Sequence, residues 1–339
     1  MSGKPNIEAL VGNLCDSSCF SDELYSRYGV KRGLRNPDGT GVPAGITRVS
    51  NVHGYLIDEY EKLPCRGELY YRGINVRDII EATNAENRFG YEETSWLLLF
   101  GSLPTRSDLE YYQTVIDSLR ELPPSFTEDM IMRAPSPDIM NKLARSVLAL
   151  YSYDDNPDDT SVENVMRQSF MLISRMPGIM TAAYQVKKRY YDNGDFILHT
   201  PIPGQSAAEN ILSLLRADRK YTWEEARLLD RCLILHAEHG GGNNSTFACR
   251  TITSSGSDTY SAIAAAIGAL KGPRHGGANL RVVKMLDELK ATVKDHRDDD
   301  EIREYLKKLL RKEAGDRSGL IYGVGHAVYT LSDPRAEIL

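Results

Sequence analysis

Residues 261–279 read SAIAAAIGALKGPRHGGAN, and the apolar stripe Val282, Met285, Leu286, Leu289, Val293 follows. Ser261 to Leu270 is an alanine-rich run with strong helix propensity. Gly272-Pro273 stops it, because proline lacks the N–H that the helix ladder needs and its ring clashes with the preceding turn. The stripe repeats at three and four residues, one face of a second helix that begins near Asn279. Helix therefore follows helix through a tight glycine turn, with no strand between. The same period recurs at Met140, Leu143, Ala144, Val147, Leu148, Tyr151, at Val162, Val165, Met166, Phe170, Ile173, and at Ile302, Tyr305, Leu306, Leu309, Leu310. A mainly α fold is expected. Without alternating strands and helices, a doubly wound sheet or an α/β barrel is not.

Start and stop signals agree with these helices. Thr105-x-x-Asp108 and Thr222-x-x-Glu225 have the form of capping boxes. Asp298-Asp299-Asp300-Glu301 leads the last stripe and Arg311-Lys312 closes it, which suits the helix dipole at both ends, and Gly315 is the expected C-cap. One region reads differently. Residues 33–75 hold the turn signature Asn36-Pro37-Asp38-Gly39 and short β-rich runs, Ile46 to Val49, His53 to Ile57 and Glu68 to Ile74. They predict a small antiparallel patch near the front of a helical protein. No repeat of 20–50 residues is found.

Composition narrows the classes. In 339 residues, 41 Lys and Arg face 47 Asp and Glu, a net charge of −6 that argues against nucleic acid as a partner. Hydrophobic residues at 41% and charged residues at 26% fit a globular chain of two domains. No apolar run is long enough to span a membrane. Met1-Ser2-Gly3-Lys4-Pro5 has no apolar core behind it, so a secretory signal is not expected. The five cysteines, Cys15, Cys19, Cys65, Cys232 and Cys249, read as free thiols of a cytoplasmic protein. Cys15 and Cys19 have helical spacing but lack two further ligands, so no metal is expected.

The functional signal is a coincidence of glycine and histidine. His236-Ala237-Glu238-His239 runs into Gly240-Gly241-Gly242-Asn243-Asn244-Ser245-Thr246; His236 and His239, three apart, would share a helical face. Lys271-Gly272-Pro273-Arg274-His275-Gly276-Gly277-Ala278-Asn279 puts His275 just before a helix N-terminus. The positive dipole end there disfavours imidazolium, and a neutral imidazole donates a hydrogen bond to an oxygen gaining negative charge. Gly323-Val324-Gly325-His326-Ala327-Val328-Tyr329, with Asp333-Pro334-Arg335 after it, offers open backbone to a flat ligand and an arginine fork for a carboxylate. Each cluster alone is as readily structural as functional.

Together, in this order and spacing, the three clusters resemble citrate synthase. Tyr70-Tyr71-Arg72-Gly73-Ile74 and Ser95-Trp96-Leu97-Leu98-Leu99-Phe100-Gly101 resemble the N-terminal part of the same family, so the likeness covers essentially the whole chain. The resemblance implies a two-domain helical fold, here a large domain over 1–275 carrying the β patch and part of a small domain over 276–339. It implies a homodimer or larger homo-oligomer and a condensation of acetyl-CoA with oxaloacetate to give citrate and CoA, with no permanently bound cofactor. His275 would stabilise the enol or enolate oxygen of the thioester, and His326 would polarise the oxaloacetate ketone. His239, Asn243 and Arg335 would hold oxaloacetate, and Gly323, Val324 and Gly325 would lie beside CoA.

The departures are specific. Gly240 stands where the family often has an acidic residue, and Thr330 where it often has a basic one that meets CoA phosphate. The family's catalytic aspartate and further arginines lie downstream of Asp-Pro-Arg, whereas the sequence stops at Leu339; Asp316 and Asp333 do not match the base. The expectation is a truncated citrate synthase. The alternatives are a 2-methylcitrate synthase using propionyl-CoA, a cleavage enzyme of citryl-CoA lyase type, and a non-catalytic oxaloacetate- or CoA-binding protein lacking the base.

Overall fold

The computed structural model describes residues 22–29, 34, 41–42, 45–59, 61–326 and 328–339. The Asn36–Gly39 turn and the Cys15/Cys19 pair lie outside them. The chain divides into two compact units, residues 1–44 and 45–339. In the first, α1 (Asp22–Arg27) is a short helix.

The second unit opens on an antiparallel sheet of β1 (Ser50–Asp58), β2 (Glu61–Tyr71) and β3 (Ile74–Asn75), in that order. Ser50 pairs with Tyr71 and Asp58 with Glu61, with one shift of register between His53 and Tyr55. The expected patch is present, but its strand limits are corrected. Ile46–Val49 is not a strand: Thr47 Oγ1 accepts the Val49 N–H at 3.1 Å and bends the backbone there. The second strand starts at Glu61 rather than Glu68 and stops at Tyr71. Arg72 and Gly73 both take positive φ, 49° and 90°, and form the two-residue hairpin turn that joins Tyr71 to its partner Ile74. The Arg72 guanidinium then donates to the Leu98 carbonyl from both Nε and Nη2, at 3.0 and 2.6 Å.

The rest is helical, as the stripes predict: α2 (Val76–Ala85), α3 (Tyr91–Phe100), α4 (Arg106–Ser118), a π-helical turn at Thr127–Met132, α5 (Ile139–Leu150), α6 (Val162–Tyr191), α7 (Ala207–Leu215), α8 (Trp223–His236), α9 (Asn244–Thr253), α10 (Thr259–Lys271), α11 (Ala278–Thr292), α12 (Asp299–Leu310) and α13 (Pro334–Ile338). Both expected capping boxes close, and a third forms at Ser206 and Glu209. Gly315 is not the cap of α12. Lys312 takes the left-handed conformation, its N–H bonding Leu309 O while Glu313 N–H bonds Lys308 O. Gly315 serves packing: a Cβ there would strike the Leu309 side chain.

Helix ends are also capped across the fold. Gly90 has no side chain to cap α3, so Asp230 of α8 reaches over and accepts the N–H groups of Gly90 and Tyr91 at 2.8 and 3.1 Å. Glu92 of α3 accepts the Ala207 N–H at the start of α7, at 2.7 Å. Burial pushes both carboxyls up from the ordinary range. One core joins α5, α6 and the π turn through Phe126, Ile131, Leu143, Val147 and Ile179. A second seats the sheet on helices through Leu69, Tyr71, Ile80, Leu97 and Leu235. A third, smaller core holds α11 to α12 through Met285, Tyr305 and Leu309.

Lys142 of α5 is 1% exposed, and its Nζ donates to the Met130 carbonyl at 3.0 Å and to the Ala134 carbonyl. Burial pushes its pKa down to about 8. An unfolded lysine titrates near ~10.4, so below pH ~8 both states are charged and the burial cost is present in full. Between those values the folded state has released its proton and the unfolded state has not, so folding stability rises with pH. Wild type is therefore expected to gain urea-unfolding free energy relative to Lys142→Met as pH rises from about 8 to 10. At neutral pH the variant, which removes the Nζ donor from the Met130 carbonyl while Arg145 Nη2 still donates to Ala134 O at 3.2 Å, should lose about 2 kcal/mol. A pH-independent difference would contradict this account.

Candidate functional site

Tyr71 anchors the first element of the site. Its buried hydroxyl is shared between the carbonyls of Ile234 and Glu238, at 2.8 and 3.1 Å, which fixes the end of α8 to the end of β2. Glu238 faces the sheet: its Oε1 accepts from Ser50 Oγ at 2.9 Å and from Gly240 N–H at 2.6 Å. Gly240, at φ 88°, lies so close to Val52 that a Cβ would sit 3.1 Å from it. The expected shared helical face of His236 and His239 does not form, because α8 stops at His236. That residue is exposed, its Nδ1 2.7 Å from the Cys232 carbonyl, whereas His239 turns toward the segment that follows Gly325.

That segment brings three predicted residues together. The His239 ring lies edge-on to His326 at 5.2 Å, and 5.4 Å from Tyr329; His326 stacks on Tyr329 at 5.0 Å. The Arg335 guanidinium sits over Tyr329, 5.7 Å from its centroid. Its Nε and Nη2 are held by the Asp333 carboxylate at 3.0 and 2.7 Å. The arginine fork expected to face a carboxylate thus already clasps one from its own chain. His326 Nδ1 accepts the N–H groups of Val328 and Tyr329, both at 3.1 Å. These bonds assign the proton of a neutral ring to Nε2.

The electrostatics favour neutral imidazoles. Burial first, then the nearby Arg335 and His326, push His239 down to about pKa 3. Its Nε2 is buried with no hydrogen-bond partner among the described residues. An unpaired polar atom of this kind costs about 1–3 kcal/mol, which a polar ligand would recover.

His275 stands in the turn between α10 and α11. His275 N–H bonds Gly272 O, Gly277 N–H bonds Leu270 O, and Ala278 N–H bonds His275 O, at 2.9 to 3.0 Å. Gly277 is required, because a Cβ there would strike the Lys271 carbonyl. His275 Nε2 lies 2.8 Å from Ser245 Oγ, and burial lowers its pKa. Asn243 is the N-cap of α9: Oδ1 accepts Thr246 N–H and Nδ2 donates to Thr246 Oγ1, both at 2.9 Å, and also to Gly240 O. Its amide is occupied in closing the loop that runs from His239 to Ser245. Gly323 and Gly325 both take positive φ, 87° and 90°, with Gly323 packed against Val282 and the Val324 side chain exposed.

The structure thus clusters His239, His326 and Arg335, and links them through the Gly240–Asn243 loop and Ser245 to His275. The sequence reading missed the parts of Tyr71, Ser245 and Tyr329. Each lies inside a quoted motif, but nothing in the spacing tells which distant group it meets. Among the described residues, no three His, Cys, Asp or Glu side chains lie together as a metal site.

The sequence matches the family described as citrate synthase, C-terminal domain, over residues 36–339. It is 30% identical to a citrate synthase of Synechocystis over 299 residues, 88% of this chain and 66% of that protein. It is 32% identical to 2-methylcitrate synthase 1 of Corynebacterium glutamicum over 310 residues, 90% of this chain and 71% of that protein. Citrate/2-methylcitrate synthase of Bacillus subtilis is also 32% identical, with 90% and 72% covered. The fold is similar to the crystal structure of citrate synthase from Pyrobaculum aerophilum, with a TM-score of 0.69, 28% identity, and 91% of this chain and 72% of that one covered. It is also similar to a Thermoplasma acidophilum citrate synthase in ternary complex with carboxymethyl coenzyme A and oxaloacetate, with a TM-score of 0.68, 26% identity, and 87% and 68% covered.

The 328–334 segment is seated on two sheet glycines. A Cβ on Gly54 would come 2.7 Å from Val328 O, and one on Gly67 would strike Ser332 O. Gly67→Ala is expected to lift this segment, raising amide hydrogen exchange at residues 328–335 at least tenfold. Gly242→Ala, whose Cβ would meet nothing, should leave it unchanged. Equal protection in both variants would show that the segment is held by other contacts.

Proposed function

The chain belongs to the citrate synthase family, and from that premise we propose that it condenses acetyl-CoA with oxaloacetate and water to give citrate and free CoA. The observation that carries the reading is the His239, His326 and Arg335 cluster, with His326 held as an Nε2–H donor. In the proposed reaction a base that is not among the assigned residues takes a proton from the acetyl methyl group, and the resulting enol or enolate carbon attacks the oxaloacetate ketone. Water then cleaves the citryl thioester. His326 Nε2–H donates to the ketone oxygen as it becomes an alkoxide. His275 donates through Nδ1 to the thioester oxygen, with Ser245 fixing the ring from the other side. Donors placed where charge develops are commonly the largest catalytic contribution.

The geometry supports a reading of the remaining roles. His239 is a neutral hydrogen-bonding partner for oxaloacetate, and Arg335 meets a substrate carboxylate through its Nη1 edge. Asn243 acts by shaping the loop. The Gly323–Gly325 backbone lies beside CoA. Neither Asp316 nor Asp333 is the proton-abstracting base. Hydrogen bonds from Tyr322 and Ser318 hold Asp316 down to about pKa 2, and Arg335 occupies Asp333. A carboxylate held so low is a poor base near neutrality.

We infer a division near residue 275 into a large and a small domain, supported by the separate core of α11 and α12. We propose a homodimer or larger homo-oligomer, a reading that the resemblance to the family supports. Among the described residues no helix is long and apolar enough to cross a membrane. A cytoplasmic setting is supported by the free thiols Cys65, Cys232 and Cys249.

The test is CoA release from oxaloacetate with acetyl-CoA and, in parallel, propionyl-CoA. Faster release with acetyl-CoA is expected; faster release with propionyl-CoA would make the enzyme a 2-methylcitrate synthase, a name two of the similar proteins carry. His275→Ala and His326→Ala should each lower kcat by about 10²–10³. Asp316→Asn and Asp333→Asn should not abolish turnover. Because His239 stays neutral down to about pKa 3, its ring signals in NMR should not titrate between pH 5 and 8. A step near 6.5 would contradict its assigned charge state.

A further inference from the structure

Two paired residues of the sheet grip the chain on either side of His239. Peptide units are planar, so the φ of a residue is set by the peptide before it and its ψ by the peptide after it. Before His239, the Glu238 carbonyl accepts the Tyr71 hydroxyl at 3.1 Å. After it, the Gly240 N–H donates to Glu238 Oε1 at 2.6 Å, and the same oxygen accepts from Ser50 Oγ at 2.9 Å. Ser50 and Tyr71 face each other across β1 and β2, so both peptides are fixed to one pair of residues.

The second of these holds depends on the Glu238 carboxylate. A Cβ on Gly240 would sit 3.1 Å from Val52 and one on Gly241 3.2 Å from Thr47, so the loop lies directly against residues 47–52. Apolar contact of this kind sets distance but not direction, whereas a hydrogen bond is directional. The His239 ring has no such anchor of its own. Its Nε2 has no hydrogen-bond partner among the described residues, and its neighbours are the rings of His326 and Tyr329. The place of that ring is therefore decided by the backbone on both sides of it.

We infer that Glu238 is a positioning residue of the site: its carboxylate ties the 239–240 peptide to Ser50 and so sets the His239 ring against His326. The inference rests on the proposed reaction for its consequence alone, weaker capture of oxaloacetate, because His239 is the oxaloacetate partner there. One oxygen accepts both hydrogen bonds, and an amide keeps that oxygen, so Glu238→Gln can make both.

The test compares Glu238→Ala, Glu238→Gln and Ser50→Ala in the full chain. The first readout is the His239 ring signal in NMR, identified by its loss in His239→Gln. Glu238→Ala should move this signal, and Glu238→Gln should return it to the wild-type position. Ser50→Ala removes the sheet anchor but no backbone contact. It should move the signal by a smaller amount, and it decides the question should Glu238→Ala misfold. The second readout is the pair of Michaelis constants. Glu238→Ala should raise KM for oxaloacetate about tenfold, the worth of one hydrogen bond to a charged group, and leave KM for acetyl-CoA within about twofold. A residue that only supports folding would lower the active fraction, and hence kcat, with both KM values unchanged. A wild-type His239 signal in both Glu238→Ala and Ser50→Ala would overturn the proposal. So would a folded Glu238→Gln that behaves like Glu238→Ala. If the wild type releases no CoA, the proposed reaction falls, and the ring signals alone decide whether Glu238 positions His239.

Discussion

Close approach of two backbones sets the geometry on which the rest of the site depends. Gly54 and Gly67 leave the sheet surface bare, and the chain from Val328 to Pro334 lies on it. Tyr329 donates its hydroxyl to the Glu68 carbonyl at 3.2 Å, Gly67 N–H bonds Ser332 Oγ at 3.0 Å, and Glu337 of α13 pairs with Arg66 at 3.0 Å and with Arg77. The exposed ion pairs add little on their own. The hairpin glycines decide whether the segment can reach the sheet at all. Once it does, Tyr329 carries His326 and Arg335 to His239, a residue positioned over the same face of the sheet by Tyr71 and Val52.

Desolvation then sets the charge states. The positive helix terminus next to His275 works in the expected direction, and burial of the ring is what lowers its pKa in the fold. At His239 burial acts together with Arg335 and His326. A neutral histidine keeps one N–H to donate and one nitrogen to accept, and it does not repel a cationic neighbour. Arg335 can therefore stand close to two imidazoles, with Asp333 offsetting its charge.

What was legible in the sequence was local. The stripes gave the long helices, the boxes at Thr105 and Thr222 gave two helix starts, and the histidine–glycine clusters gave the candidate residues His239, His326 and Arg335 that the fold brings together, because each signal rests on neighbours within four residues. The N-cap role of Asn243 was legible too: Asn before a helical run is a capping signature, overlooked in favour of a substrate contact. Gly315 was assigned a cap that Lys312 performs, since the left-handed position depends on where the last helical bond falls. The long-range devices left no such trace. Asp230 caps α3 from 140 residues away, and Lys142, which reads as an ordinary surface lysine, is buried under the carbonyls of the π turn.

Helix α8 shows why these distant contacts belong together. Along one stretch of 14 residues it supplies the carboxylate that caps α3 and the Ile234 carbonyl that receives Tyr71. Its end delivers the chain to Glu238 and His239. The capping box at Thr222 and Glu225 fixes where this helix begins, and hence the register of everything after it. A slip of one residue would rotate each group by about 100°. Asp230 would leave the Gly90 and Tyr91 amides unpaired, Tyr71 would lose its acceptor, and His239 would leave the His326 ring. The cost of that slip is several buried polar groups stranded at once, each worth about 1–3 kcal/mol. Specificity for a single register is thus built from polar contacts together with the apolar face of the helix, since the same rotation would turn the fully buried Ala226, Ile234 and Leu235 away from the core.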